Sequence, residues 1–255
     1  MNHIWLRHFH SPLVASVFDF GLNGARPSHP ELLDWLAVEL MESGWSMKHL
    51  HRLIVTSEAY RRISSTGESP EYARDPENKQ LWRMNVGRME AEVVRDSLLF
   101  VAGRLDPKMG GQELENSEAL TTTRRSLYYS CHPELDGKSV FGALFDAPEP
   151  ADCYRRTRSI VPQQSLALTN SDLVHESSRL IADQTWKSLK AQGQATNGTF
   201  ILASYRRVLG RTPTAAESAA CASFLESQGD GATAERNREG LVRVLLNHND
   251  FIAIR

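Results

Sequence analysis

The stretch "PELLDWLAVELMESGWSMKHLHRLI" (30–54) decides the fold class. Pro30 stands where a first helical residue belongs, and Glu31 follows it at the positive end of the helix dipole. Leu32, Leu33, Leu36 and Leu40 recur at three- and four-residue steps, with Trp35 beside them, so one face is apolar at helical period. Gly44 ends that helix. Ser46 can cap the next, in which Leu50, Leu53, Ile54 and Tyr60 continue the same spacing. Two helices in 25 residues, each with a start or stop signal, make a mainly α chain the expectation.

Immediately upstream lies "DFGLNGARPSHPELLDW" (19–35), which opens with the Asp-Phe-Gly of protein kinases. A kinase would also need a Gly-rich loop, a strand lysine and a His-Arg-Asp loop. The nearest match, His51-Arg52-Leu53, lacks the aspartate and stands on the wrong side. The tripeptide therefore reads as a turn. In it the Asp19 side chain would bond nearby amides, and Gly21 or Gly24 would supply a positive φ.

Downstream, residues 62–80 are polar and read as a long loop. A third helix is expected from about 88 to 104, with Val93, Val94, Leu98 and Val101 on one side. Residues 105–123 read as a second long loop, the length at which loops tend to carry function. "RRSLYYSC" (124–131) is the best strand candidate, and "SVFGALFDA" (139–147) reads as helix or mixed structure. A short apolar helix should end at Asn170. Helices follow at about 171–190, 199–209 and 235–248. Gly210 stops the second of these, and "TAAE" (214–217) offers a capping box. The expected architecture is a multi-helix domain with a minor β element, long ordered loops and a C-terminal helical bundle. Residues 1–170 would form its core and 171–255 a helical subdomain, and one continuous domain fits the pattern equally well.

Composition narrows the classes of function. With 41% apolar and 24% charged residues the chain can bury a core, which sets aside disorder. A net charge of −2 gives no footprint for nucleic acid or an anionic membrane. The longest apolar run, "LLFVA" (98–102), is far short of a membrane span, and "MNHIWLRHFH" (1–10) lacks the apolar stretch of a signal peptide. Three cysteines, Cys131, Cys153 and Cys221, cannot all pair. Cys131 and Cys153 could bridge in an oxidising compartment, and three reduced, partly buried thiols is the preferred reading. His3, His8 and His10 are not at the i, i+4 spacing of a helical metal pair, so neither a metal nor a cofactor is expected.

The polar residues of interest come mid-chain. "RMEAEVVRDSL" (88–98) puts Glu92 and Asp96 at i, i+4, with Glu90 and Arg95 elsewhere around the helix. Arg124, Arg125, Asp146, Arg155, Arg156, Gln163, Gln164 and Asn170 follow. One reading makes these eight a site for an anion or a sugar. The preferred reading makes them a paired, partly buried network that ties loops to helices.

Several stretches, in this order, carry a family resemblance: "HIWLRHF" (3–9), "DFGLNGARPSHPELLDWLA" (19–37), "SGWSMKHLHRLIVTSEAYR" (43–61), "RMEAEVVRDSLL" (88–99), "RRSLYYS" (124–130), "FDAPEPADCYRRTRSIVPQQSLALTN" (145–170), "YRRVLGRTPTAAE" (205–217) and "LLNHNDF" (245–251). The chain resembles domain of unknown function 1553, a planctomycete-specific C-terminal domain of large multidomain proteins. The resemblance implies an exported or surface-associated bacterial setting. It also implies partners in upstream domains of the parent protein, one cytochrome-c-like and one of unknown function. Met1 falls inside the usual domain, so a truncated fragment is expected. The family has glycines near positions 10 and 12, where this chain has His10 and Pro12. No catalytic residue carries over. The expected function is a non-catalytic interaction or scaffold module. The alternatives are a polysaccharide- or anion-binding module, and an accessory enzyme domain sharing its active site with an upstream domain.

Overall fold

The computed structural model describes residues 1–64, 68–132, 138–148, 159–226 and 232–254. The fold is mainly α, and among the described residues a single small sheet pairs β1 (Gly87–Arg88) with β2 (Ala253–Ile254). The chain divides into two compact units, residues 1–87 with 253–255 and residues 88–252.

The first unit is built on α1 (Asn2–Phe9), α2 (Pro30–Glu42) and α3 (Met47–Thr56), with a short α4 (Glu71–Arg74). Pro30 occupies the first turn of α2, and the Ser46 hydroxyl accepts from the His49 amide to start α3, as the sequence led us to expect. Trp5, Phe9, Leu13, Leu36, Leu50, Ile54 and Met84 form the core, with the Trp5 and Phe9 rings stacked at 4.0 Å. Asn2 is buried and clasps Val14 from both sides, donating to its carbonyl at 3.0 Å and accepting from its amide at 2.9 Å.

α1 has no side-chain cap at its start, and no local signal in the sequence announces a helix there. It ends on His10 in the left-handed region, φ 57°, where a glycine would sit without strain. The His10 ring lies against Gly87, where a Cβ would fall 2.1 Å from its Nε2.

The Asp19-Phe20-Gly21 segment is a turn, but the Ser16 hydroxyl organises it. That hydroxyl donates to the Asp19 carbonyl and accepts from the Ala25 amide, both at 2.7 Å. Gly24 is required for close approach, since a Cβ would lie 2.4 Å from the Asp19 carbonyl oxygen. The expected roles of the Asp19 carboxylate and of a positive glycine φ give way to these. The loop expected over 62–80 is tied down by Asn78, buried at φ 54°. Its side chain bonds the Arg83 carbonyl and amide and Asn85.

The second unit holds α5 (Ala91–Val101), α6 (Val140–Leu144), α7 (Pro162–Asn170), α8 (Asp172–Ala191), α9 (Asn197–Leu209), α10 (Ala215–Glu226), α11 (Ala232–Leu246) and α12 (Asn249–Ile252). The long α8 is the spine, with Val174, Ile181 and Ala182 buried in a cluster that includes Val94, Leu98, Phe200, Val242 and Leu246. Arg207 of α9 donates to the Val101 carbonyl, satisfying the C-terminal end of α5. The capping box at 214–217 forms both ways: Thr214 Oγ1 accepts from the Glu217 amide, and Glu217 accepts from the Thr214 amide. Glu217 and Asp250 also grip Arg211, which joins α10 to α12.

The strand expected at 124–131 is absent. Residues Ser126–Tyr128 form a single 3₁₀ turn flanked by isolated bridges, Asp106 with Arg124 and Leu114 with Tyr129. The β-favouring residue types are present, but hydrogen bonds from α5 impose a turn.

Candidate functional site

The centre of the second unit's polar chemistry is Arg95, whose side chain is 2% exposed. It projects from α5 into the loop 115–130 and gathers that loop's carbonyls. Its Nε donates to Ala119 O at 2.7 Å, its Nη1 to Arg124 O at 2.9 Å and to Ser126 Oγ at 3.2 Å, and its Nη2 to Thr122 O at 2.5 Å. Asp96 completes the clamp. It accepts from the Ser126 amide at 2.9 Å and hydroxyl at 2.7 Å, and lies 3.3 Å from Arg95 Nη1. Burial lowers the Arg95 pKa against the opposing pull of Tyr129 and Asp96, and the guanidinium stays charged.

The clamp leaves open space on both sides. On one side is a cavity of about 240 Å³, walled by Ala91, Phe141, Ala147 and Leu127 and carrying Glu92, Tyr129, Cys131, Lys138 and Ser139. Ser139 caps α6, its hydroxyl accepting from the Gly142 amide at 2.9 Å. The Tyr129 hydroxyl is buried and has no hydrogen-bond partner among the described residues. Burial pushes its pKa up to about 12, so it keeps its proton. On the other side, a shallower groove of about 500 Å³ runs along Val93, Phe100, Leu105 and Leu127, with Glu90 and Arg125 at its edge.

The eight sequence candidates are dispersed. Arg124 is used internally: it lies 4.3 Å over the Tyr128 ring and donates to Gly110 O at 2.7 Å, folding the loop around Gly110. Arg125 borders the groove. Asp146, at φ 60°, accepts from the Ser159 amide at 2.7 Å. Gln164 is 2% exposed, donates to Leu144 O at 2.7 Å and accepts from Arg88. Gln163 and Asn170 are exposed on α7. Arg155 and Arg156 lie outside the described residues, as does Cys153. Cys131 is an exposed thiol and Cys221 a partly buried one, both free.

Reading the sequence passed over Tyr129, Cys131, Lys138 and Ser139 as pocket residues. A strand at 124–131 would have sent alternate side chains to opposite faces, hiding that Tyr129 and Cys131 line one cavity. The signal that could have found the cap is Ser139 three residues before Gly142 at a helix start.

Among the described residues no three His, Cys, Asp or Glu side chains come together as metal ligands do, and no helix is long and apolar enough to cross a membrane. A model of the family PSD1, described as a protein of unknown function (DUF1553), matches residues 1–225. No curated protein and no solved structure matches the chain.

Proposed function

The chain belongs to the PSD1 family, proteins of unknown function (DUF1553), and from that premise we propose that it is a non-catalytic interaction module of a larger exported bacterial protein. One observation carries the reading. The carboxylate at the centre of this polar cluster, Asp96, spends its hydrogen bonds on the chain's own loop, as does Arg95 beside it. A general acid or base must instead present its proton or lone pair to a substrate. The pair's role is to hold the surface of residues 105–130 in one shape, which a recognition surface needs.

The test is a calorimetric titration of the purified chain with separately produced cytochrome-c-like and second upstream domains of a multidomain relative. Saturable binding to either one supports the module. Two outcomes overturn it: binding to neither domain, or turnover of a glycoside, ester or phosphate substrate that Glu92→Gln abolishes.

A further inference from the structure

We propose that the outward face of α2 docks a basic amphipathic helix of a partner protein. The partner's apolar side chains would lie on Trp35, Val38 and Met41, and its Lys or Arg side chains on Glu31, Asp34 and Glu42. The proposal rests on the reading of the chain as an interaction module and gives that module a surface.

The first observation is the make-up of the exposed stripe. α2 turns its leucines inward: Leu36 is buried, and Leu32, Leu33 and Leu40 pack against the core of the first unit. From Glu31 onward the exposed residues are Glu31, Asp34, Trp35, Val38, Met41 and Glu42. They recur at steps of three and four, so they form one stripe about 16 Å long on one side of the helix. The solvent side of a helix is ordinarily polar, yet half of this stripe is apolar, with Trp35 46% and Met41 52% exposed. A single exposed apolar side chain needs no explanation, whereas three neighbours on one face mark a contact surface.

The second observation is charge. α2 carries Glu31, Asp34, Glu39 and Glu42 and has no Lys or Arg. Glu39 is engaged by His49 at 3.0 Å. Among the described residues Glu31, Asp34 and Glu42 make no ion pair. Glu42 is also the last residue of the helix, at the negative end of its dipole, where a cation is favoured and a carboxylate is not. A Lys or Arg from outside would relieve that repulsion.

Together these fix the occupant. Apolar and acidic side chains interleave along one stripe, so the complementary surface alternates apolar and cationic groups at the same helical period. A second copy of α2 would set carboxylate against carboxylate, and an anionic membrane or a nucleic acid would be repelled. A face of three turns is small for a stable interface, so the contact is a weak, exchanging one.

The full chain is titrated, by calorimetry and by NMR, with a synthetic helical peptide of about 18 residues. The peptide is built of Leu, Lys and Ala, with Leu at three- and four-residue steps. A peptide with Glu in place of every Lys is the control. The expected result is saturable binding of the Lys peptide alone, weakening as salt rises from about 0.05 to 0.5 M. It should shift the Trp35 indole N–H resonance, identified by its loss in Trp35→Ala. Trp35→Ala should weaken binding about tenfold or more, and Glu42→Lys several-fold. Both positions are exposed, so both variants fold, and Glu42→Lys should hold or raise the melting temperature because it suits the helix dipole.

The proposal is overturned by no saturable binding of the Lys peptide, by equal binding of the Glu peptide, or by binding that either variant leaves unchanged. It is overturned too by a concentration-dependent dimer that Trp35→Ala disperses, which would assign the face to a second copy. Failure of the upstream domains to bind the wild-type chain overturns the module reading, whereas domain binding without Lys-peptide binding overturns only the α2 surface.

Discussion

Arg95 shows what a single buried charge can decide. Its guanidinium replaces water with three loop carbonyls, a serine hydroxyl and a carboxylate, and removing it strands all of them. Arg95→Met should therefore destabilise the chain by about 3–5 kcal/mol in denaturant unfolding. Arg95→Lys should rescue little, because a point charge on a flexible stem cannot span acceptors set out for a planar fork. A loss below about 1 kcal/mol would show that the loop holds itself. His8 makes a second case. Its Nε2 lies 2.8 Å from His51 Nδ1, and burial, followed by the His51 charge, lowers its pKa from 6.5. The folded state thus resists protonation that the unfolded chain accepts. Stability from this pair is full above about pH 6.5 and falls as pH drops toward the lower folded value. His8→Phe should flatten that slope between pH 7 and 5, and an unchanged slope would place its origin elsewhere. Neither role was legible in the sequence. Arg95 looked like one more charge on an amphipathic helix, and His8 and His51 stand 43 residues apart.

At the scale of elements, the local signals and the structure agree wherever one hydrogen bond between near neighbours settles the matter. Pro30, Ser46, Gly210 and the Thr214–Glu217 box all act where the sequence puts them. Thr214→Ala should cost about 0.5–2 kcal/mol by thermal unfolding. Glu217 also pairs with Arg211, and that bond, followed by the Thr214 amide, lowers its pKa to about 2. Its contribution is present above the ordinary carboxylate value and is lost as pH falls toward 2. Glu217→Gln should lower stability at pH 7 and leave it nearly unchanged at pH 2; an equal loss at both would deny the ion pair a role. Long-range contact decides the rest. Gly87→Ala drives a Cβ into the His10 ring and should cost about 1–3 kcal/mol. In a His10→Gly background the same substitution should cost clearly less, and equal costs would remove the steric account. The segment 124–131 failed as a strand for the same kind of reason. Its residue types favour extended backbone, yet Asp96, thirty positions away, captures the Ser126 amide and hydroxyl and forces a turn.

For the whole molecule, two clusters of buried side chains, around Leu50 and around Ile181, lie in the two compact units. Each has its own core, so scanning calorimetry should resolve two transitions, and Leu50→Ala should move only one of them. A single transition displaced as a whole would show one cooperative domain. The division expected at residue 170 is a separate proposal. Native-state hydrogen exchange tests it through whether α8, α9 and α11 open with a free energy distinct from that of α5. The sequence by itself determined the mainly α character, the positions of the longer helices and the family, because periodicity, caps and ordered motifs are local properties of the chain. Only the tertiary structure decided which polar groups are consumed and which face a cavity. Gln164 turned inward to Leu144, Arg95 became the clamp of a loop, and the Tyr129 hydroxyl was left without a partner among the described residues. Hydrogen bonds between residues tens of positions apart fix those outcomes, and the energy that selects them exists only once the helices have packed.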